Sequence, residues 1–420
     1  MGIAETLGVK MGRIHAVAIC LLLVACQPLP QGGGAARPSH SAIPSAEQST
    51  QPSSVIPSPQ ASLHPIASPS SETGSNLLSE NGITLRPLES LAEYWGVHLS
   101  AEEEEKYGRV YPSCMDQKGN FYFTGKSGLY QFSSSQRKIT QVISTKLNPS
   151  VLIDGPPNTA EFTNFNQCIV FPDQSIYFLD RGYLRKLLPD RSVVTLNKTQ
   201  EYHSTLRSMV FDPLNQRLIC NAVCNGFMAW DLQTEKLIPL HQQYDPNKSC
   251  SGSLVDGELG KEARFGQQDI DLAIDSNSAR LYVNDSENKA IRLIENNKVT
   301  TLAGGSKGAI QIDGQGRDAF FVYAVKIHYD SSRNWVYLLE GNHIRIVKLT
   351  GEVRTLNLPG QGNTEGNYFK NKYISQIHRL VMLDKNHWIL FASTPSEEIG
   401  KTKEQVYAVT LPDTLPEIKI

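Results

Sequence analysis

The 420-residue chain has no excess of charge of either sign: 40 Lys and Arg stand against 42 Asp and Glu, a formal net charge of −2. That balance excludes the sustained basic surface with which proteins neutralise nucleic-acid phosphates. The apolar run over residues 16–25 is too short to cross a bilayer as a helix. Catalytic signatures are missing too: there is no Gly-x-Ser-x-Gly elbow, no His-Glu-x-x-His pair and no phosphate-binding loop. Cysteine is scarce, with seven residues in the whole chain, and the segment 27–80 has almost no aromatics.

The N-terminus reads as a targeting segment. Lys10 and Arg13 precede the apolar run, the layout of a secretory signal. The run ends Leu23-Val24-Ala25-Cys26, which resembles the lipobox of bacterial lipoproteins. That resemblance implies removal of residues 1–25, acylation of Cys26 with palmitate-like chains, and a folded domain outside the cytoplasm. Several acyl chains, at about 0.8 kcal/mol per buried methylene, make such an anchor effectively permanent. Gln27 stands where an Asp would mark inner-membrane retention, so the resemblance favours the outer membrane. Residues 26–80 are rich in Pro, Ser, Ala, Gln and Gly and cannot bury enough apolar surface to offset ordering entropy; a disordered tether is expected.

Five cysteines remain beyond Cys20 and Cys26: Cys114, Cys168, Cys220, Cys224 and Cys250. Export permits disulfides, and Cys220 with Cys224, flanking Asn221-Ala222-Val223, is the candidate pair. As a Cys-x3-Cys zinc site it lacks two further ligands.

Beyond residue 80 the chain repeats itself. The clearest copy, 256–302, reads Asp256-Gly257, Ala263-x-Phe265, Leu281-Tyr282-Val283-x-Asp285, Ile291-Arg292-Leu293 and Val299-Thr300-Thr301-Leu302. Four short apolar runs separated by turn residues predict an antiparallel four-stranded meander. Matching copies lie at about 154–196, with Asp154, Phe162, Tyr177, Asp180 and Arg185, and at about 313–356, with Asp313, Phe321, Tyr337, Glu340 and Arg345. Worn copies occupy about 109–144, 203–240 and 365–411. These three well-kept units resemble NHL repeats. The resemblance implies an all-β fold, a six-bladed β-propeller of four-stranded antiparallel blades over 81–420.

In that frame the motif residues have structural roles. Phe162, Phe265 and Phe321 are expected to wedge between blades, Tyr177, Tyr282 and Tyr337 to pack the second strands, and Asp180 and Asp285 to hold turns, with Arg185, Arg292 and Arg345 pointing outward. Ahead of the first unit, Ser100 and Glu103 form a capping-box pattern on a short helix. The sixth unit has three obvious strands, and the N-terminal segment 83–86, rather than 417–420, is expected to supply its fourth, hiding both free edges.

A propeller gathers its first strands around a central channel. Aligning the units by their Tyr positions brings Asn166, Gln167, Arg207, Ser208, Asp271, Lys326, His328, His378 and Arg379 to the channel mouth. His343 and His387, at strand ends, read as solvent-facing. Arg207, Lys326 and Arg379 beside Asp271 disfavour a cation and suit an anionic or neutral polar ligand. The two resemblances, with this mixed ring, therefore imply a membrane-anchored binding or scaffold propeller that recognises a protein, peptide or glycan, with no cofactor and no nucleic acid expected. Two alternatives stay open: a lactonase-like or amidating-lyase-like hydrolase or lyase holding calcium or zinc at the channel mouth, and a structural envelope lipoprotein.

Overall fold

Strands buried on both faces must be packed between two other sheets, and two of the described strands have that pattern throughout: every residue of Ile176–Asp180 and of Ile270–Asp275 is buried. The structure, a computed structural model, describes residues 77–107, 112–144, 152–163, 165, 167–197, 206–222, 226–241, 252–266, 270–305, 308, 310–359, 374–395 and 402–415. Cys26, the signal and tether up to residue 76, Asn166 and Cys224 lie outside them. Among the described residues, six antiparallel sheets follow one another along the chain, each a meander of four main strands. They form a ring of six blades. The innermost strands are Cys114–Met115, Cys168–Val170, Leu206–Asp212, Ile270–Asp275, Ala324–Asp330 and Gln376–Met382.

Closure of the ring follows the sequence reading. Ile83–Leu88 pairs antiparallel with Thr402–Thr410, from Thr84 opposite Thr410 to Leu88 opposite Val406, and so completes blade 6. Leu78–Glu80 adds a short outer edge to it. After this strand the chain makes a 3-10 turn, Leu91–Trp95, and the helix Ala101–Tyr107, whose capping box forms: Glu103 N–H donates to Ser100 Oγ at 3.2 Å, and Ser100 N–H to Glu103 Oε2 at 2.9 Å.

The core is not one body but six apolar clusters, one at each junction between blades. Phe162 packs with Tyr122, Leu129 and Ile143 of the preceding blade, Phe265 with Val210, Ile219 and Phe227, and Phe321 with Ala273 and Ile291. The second-strand tyrosines face the other way, Tyr177 into the blade 2–3 junction, Tyr282 into 4–5 and Tyr337 into 5–6. One motif therefore supplies an aromatic ring to each side of its blade.

The motif arginines do not point outward. Arg185, Arg292 and Arg345 are completely buried. Each guanidinium joins two carboxylates and two carbonyls: Arg292 reaches Asp285 Oδ2 at 3.0 Å, Asp256 Oδ1 at 2.8 Å, and the carbonyl oxygens of Arg264 and Val255. Arg185 does the same with Asp180 and Asp154, and Arg345 with Glu340 and Asp313. The Asp-Gly carboxylates also take a threonine hydroxyl from the outer strand, from Thr195, Thr301 and Thr355. Asp180 and Asp285 hold backbone N–H groups as expected, but those of Thr163 and Gly266, in the connection before the strand. The motif glycine makes this geometry reachable: Gly257 has φ +146°, and a Cβ there would lie 2.7 Å from Glu262 Cβ. Burial pushes the Asp285 carboxyl up. Burial also works upward on Asp256, but the Thr301 hydrogen bonds and Arg292 outweigh it and hold that carboxyl below its ordinary value.

The other end of every blade is closed in a second way. Asp116, Asp173, Asp212, Asp275, Asp330 and Asp384 sit at corresponding first-to-second-strand turns. Each accepts the backbone N–H two or three residues on, at 2.7–3.2 Å.

The disulfide joins Cys114 to Cys168, linking the inner strands of blades 1 and 2. Cys220 is a free, fully buried thiol and not half of a bridge with Cys224. Its strand explains this: Cys220 pairs opposite Met228, two residues before the hairpin's last described pair, Ala222–Gly226, and packs into the blade 2–3 core.

Two stability outcomes follow. Arg292→Met strands two carboxylates without their cation, so urea denaturation should show a loss of about 3–5 kcal/mol, partly recovered by adding Asp285→Asn. A loss no larger than that of an exposed ion pair would mean that the knot is not what holds the blade. Reducing Cys114–Cys168, which spans 54 residues, should lower stability by about 4 kcal/mol on the loop-entropy scale. Melting curves with and without reductant, repeated on Cys114→Ser/Cys168→Ser, measure it.

Candidate functional site

The residues that enter the inner strands form a belt of hydrogen bonds from blade to blade. Gln167, Ser208 and Asp271 occupy corresponding positions and each accepts a backbone N–H of the next blade: Met209 to Gln167 Oε1 at 3.0 Å, Leu272 to Ser208 Oγ at 3.1 Å, and Ile327 to Asp271 Oδ2 at 3.0 Å. Side chains then link to one another. Gln167 Nε2 donates to Ser208 Oγ at 3.4 Å, Ser208 Oγ–H to Asp271 Oδ1 at 2.8 Å, and Lys326 Nζ to the same Oδ1 at 3.0 Å. On the far side of the ring the Arg379 guanidinium donates to the Pro112 carbonyl, joining blade 6 to blade 1. Between blades 1 and 2 the tie is covalent, since Cys168 directly follows Gln167.

Of the nine residues expected at the mouth, the structure thus joins Gln167, Ser208, Asp271 and Lys326 in one chain of bonds and places Arg379 in the tie to blade 1. Arg207 is exposed beside them, within the irregularity between Leu206 and Met209. His378 belongs to a different cluster: it sits in the register shift between Ile377 and Arg379, and its Nε2 lies 2.6 Å from Ser393 Oγ. Ser393 Oγ–H donates to Glu404 Oε1 at 2.8 Å. Sequence reasoning missed Ser393 and Glu404, which face each other across adjacent strands of blade 6, and the Cys114–Cys168 pair. For the cysteines a signal existed, because both lie on first strands of consecutive units.

Asp271 is buried and both its oxygens are taken, so it neutralises one cation and has little capacity for another. Among the described residues no group of three or more His, Cys, Asp or Glu side chains is placed to hold a metal ion. Lys326 keeps 44% of its side chain exposed. His328, two positions further along the same strand, has an Nε2 that is closed to solvent and lacks a hydrogen-bond partner among the described residues. Burial drives its pKa down to about 4; Asp271 works upward, Lys326 and Arg379 downward.

His343 is buried rather than solvent-facing; burial, and then the Arg345 cation, push it down to about 4 as well. His387, half-buried, pairs with Asp384 at 2.8 Å.

These two imidazoles fix a pH dependence. In the unfolded chain each takes up a proton near pH 6.5, whereas folded they resist until about pH 4. Their stabilising effect is therefore complete above pH 6.5 and is lost as pH falls toward 4, by about 1.4 kcal/mol per pH unit for each ring. Urea denaturation at pH 7 and pH 5 should show this slope, and His328→Phe and His343→Leu should each remove one ring's share. An unchanged slope in both variants would refute the assignment.

No family model matches the chain, and no curated protein matches it. Solved structures do. An auxiliary nutrient binding protein from Bacteroides thetaiotaomicron is 16% identical, with a TM-score of 0.38, over 59% of this chain and 58% of its own. Another from Bacteroides ovatus is 10% identical, with a TM-score of 0.44, over 69% of this chain and 66% of its own. A luciferin-regenerating enzyme is 13% identical, with a TM-score of 0.43, over 79% of this chain and 96% of its own. The chain thus spans less than two-thirds of the two nutrient-binding proteins. Likeness at this level carries no functional argument.

Proposed function

We propose that this chain is an NHL-like binding propeller, held by lipid on Cys26 in a bacterial envelope with its folded domain outside the cytoplasm, and tethered through residues 26–80. Its ligand, a protein, peptide or glycan, meets the end of the ring that carries the belt. One observation carries the reading: the two ends of the ring are built differently. The blade-to-blade connections that leave and re-enter the ring at the belt end, from Ser144 to Cys168, from His241 to Ile270, from Gly304 to Ala324 and from Leu356 to Gln376, are long segments of the kind on which binding residues are placed, although in blades 4 and 5 part of each runs down the outermost strand, Glu258 pairing with Lys298 and Gln315 with Glu352. At the opposite end, six Asp-held turns join first to second strands with a few residues each.

The Cys114–Cys168 disulfide supports the extracytoplasmic address, since reducing cytosol does not sustain structural disulfides. A near-neutral surface supports a ligand other than nucleic acid.

Two measurements test this. Metabolic labelling with a palmitate analogue should mark the wild-type protein and not Cys26→Ser, which should leave the membrane fraction still folded; an unlabelled wild type rules out the anchor. The full chain in detergent, displayed to glycan and peptide arrays, should retain ligands that a chain carrying Lys326→Met retains at least tenfold less. Arrays blank for both proteins count against a binding role at the belt.

A further inference from the structure

The connection entering blade 5 is the most apolar stretch of the described surface. Ile310, Ile312, Val322 and Tyr323 are all exposed along it, and Tyr323, at 55%, immediately precedes the inner strand Ala324–Asp330. Three residues on stands Lys326, and two beyond that His328, on the same side of the strand. An ammonium has three N–H donors, and among the described residues the Asp271 bond uses one of Lys326's. Arg379 holds the corresponding position in blade 6, and Arg207 is exposed next to Ser208 in blade 3.

His328 is a second, independent pointer. A buried ring nitrogen without a partner costs stability, and an apolar ring of similar size would avoid that cost. A buried unsatisfied group calls for an explanation, and a ligand donor role would supply one.

The backbone narrows the ligand class further. A peptide held by strand addition needs free N–H groups along an edge, yet at the belt those of Met209, Leu272 and Ile327 are occupied by Gln167, Ser208 and Asp271. Recognition there falls to side chains. An exposed aromatic ring three residues before a half-exposed cation, at the entry to one inner strand, suits a sugar ring bearing a carboxylate: the C–H face would lie on the aromatic ring, and the carboxylate would take the charged donor.

We infer that blade 5 forms a subsite for an acidic saccharide, with Tyr323 under the sugar ring, Lys326 Nζ on its carboxylate, and His328 Nε2–H as a further donor once the flexible Lys326 stem turns to the ligand. This rests on the proposed binding role of the belt end and names its ligand class.

The test titrates the full chain in detergent with tri-galacturonate, with neutral tri-galactose and with tetra-glutamate by calorimetry. Tri-galacturonate should saturate one site, and tri-galactose should bind at least tenfold more weakly. Lys326→Met and Tyr323→Ala should each weaken tri-galacturonate at least tenfold, and Lys326→Arg, which keeps the cation and the Asp271 bond, should stay within threefold. His328→Phe should raise the melting temperature and weaken binding threefold or more; a purely structural histidine would give the first change without the second. Equal affinity for the acidic and neutral sugars, or an unchanged Lys326→Met, overturns the assignment. So does binding of tetra-glutamate in place of the sugar. If no probe binds while the arrays still retain ligands, the saccharide subsite falls and the binding role stands; if the arrays are blank as well, both fall.

Discussion

A buried guanidinium between two carboxylates is the constraint on which this ring depends. Arg185, Arg292 and Arg345 lie in surroundings where an unpaired charge is untenable, so every partner has to arrive together. For Arg292 those partners come from the Asp-Gly opening, from the connection before the first strand and from the end of the second strand. The hydroxyl of Thr301 adds the outermost strand through Asp256. One side chain thereby fixes the long connection against the whole blade. The net electrostatic gain of such a knot is small once desolvation is counted. Its structural consequence is larger: a connection that would otherwise be a free surface loop is pinned at one point, and the residues that follow it are delivered to the belt in register.

The belt converts that register into ring geometry. The inner strands of blades 3, 4 and 5 each show the blade before a backbone N–H, and these are met by Gln167, Ser208 and Asp271. A misplacement of one residue would turn these side chains to the opposite face of the sheet. The same bonds take up most of the polar capacity of those three residues. What remains for a ligand is carried by the side chains that the framework uses least, Lys326 above all.

The architecture was legible because its signals are periodic. Four apolar runs per unit, three well-kept copies of Asp-Gly, Ala-x-Phe and Ile-Arg, and a spare strand at residues 83–88 led to six blades and the correct closure. Arg292 was misjudged because alternation along a strand assigns a charged residue to solvent; nothing local shows that Asp256 and Asp285 will come back to it from opposite directions. His343 failed similarly, a polar residue at a strand end covered by tertiary packing. The belt was legible from its alignment, yet its bonding was not, since the partner of Ser208 is 63 positions away in sequence. Cys220 and Cys224 were paired on nearness in sequence, whereas Cys114 and Cys168 meet through the ring.

The worn blades explain why a sixfold frame can have one distinct seat. Among the described residues blades 1, 3 and 6 show no arginine knot, and each has other ties. Blade 1 has the disulfide and an aromatic cluster in which Trp95 packs on Phe121 and Phe132. Blade 3 pairs Asp212 with Arg217 at 2.9 Å, at the end away from the belt. Blade 6 recruits the N-terminal strand. Six identical blades would present six identical belt positions, and a ring of six lysines or six aspartates would repel itself. Unequal repair lets the positions diverge, so that a polar amide, a hydroxyl, a carboxylate and two cations follow in order from Gln167 to Arg379. A ligand smaller than the ring then has one orientation in which its charge and its apolar face are both met. In this chain that orientation centres on blade 5, whose intact knot on Arg345 anchors the connection carrying Tyr323 and leaves the Lys326 ammonium partly in solvent.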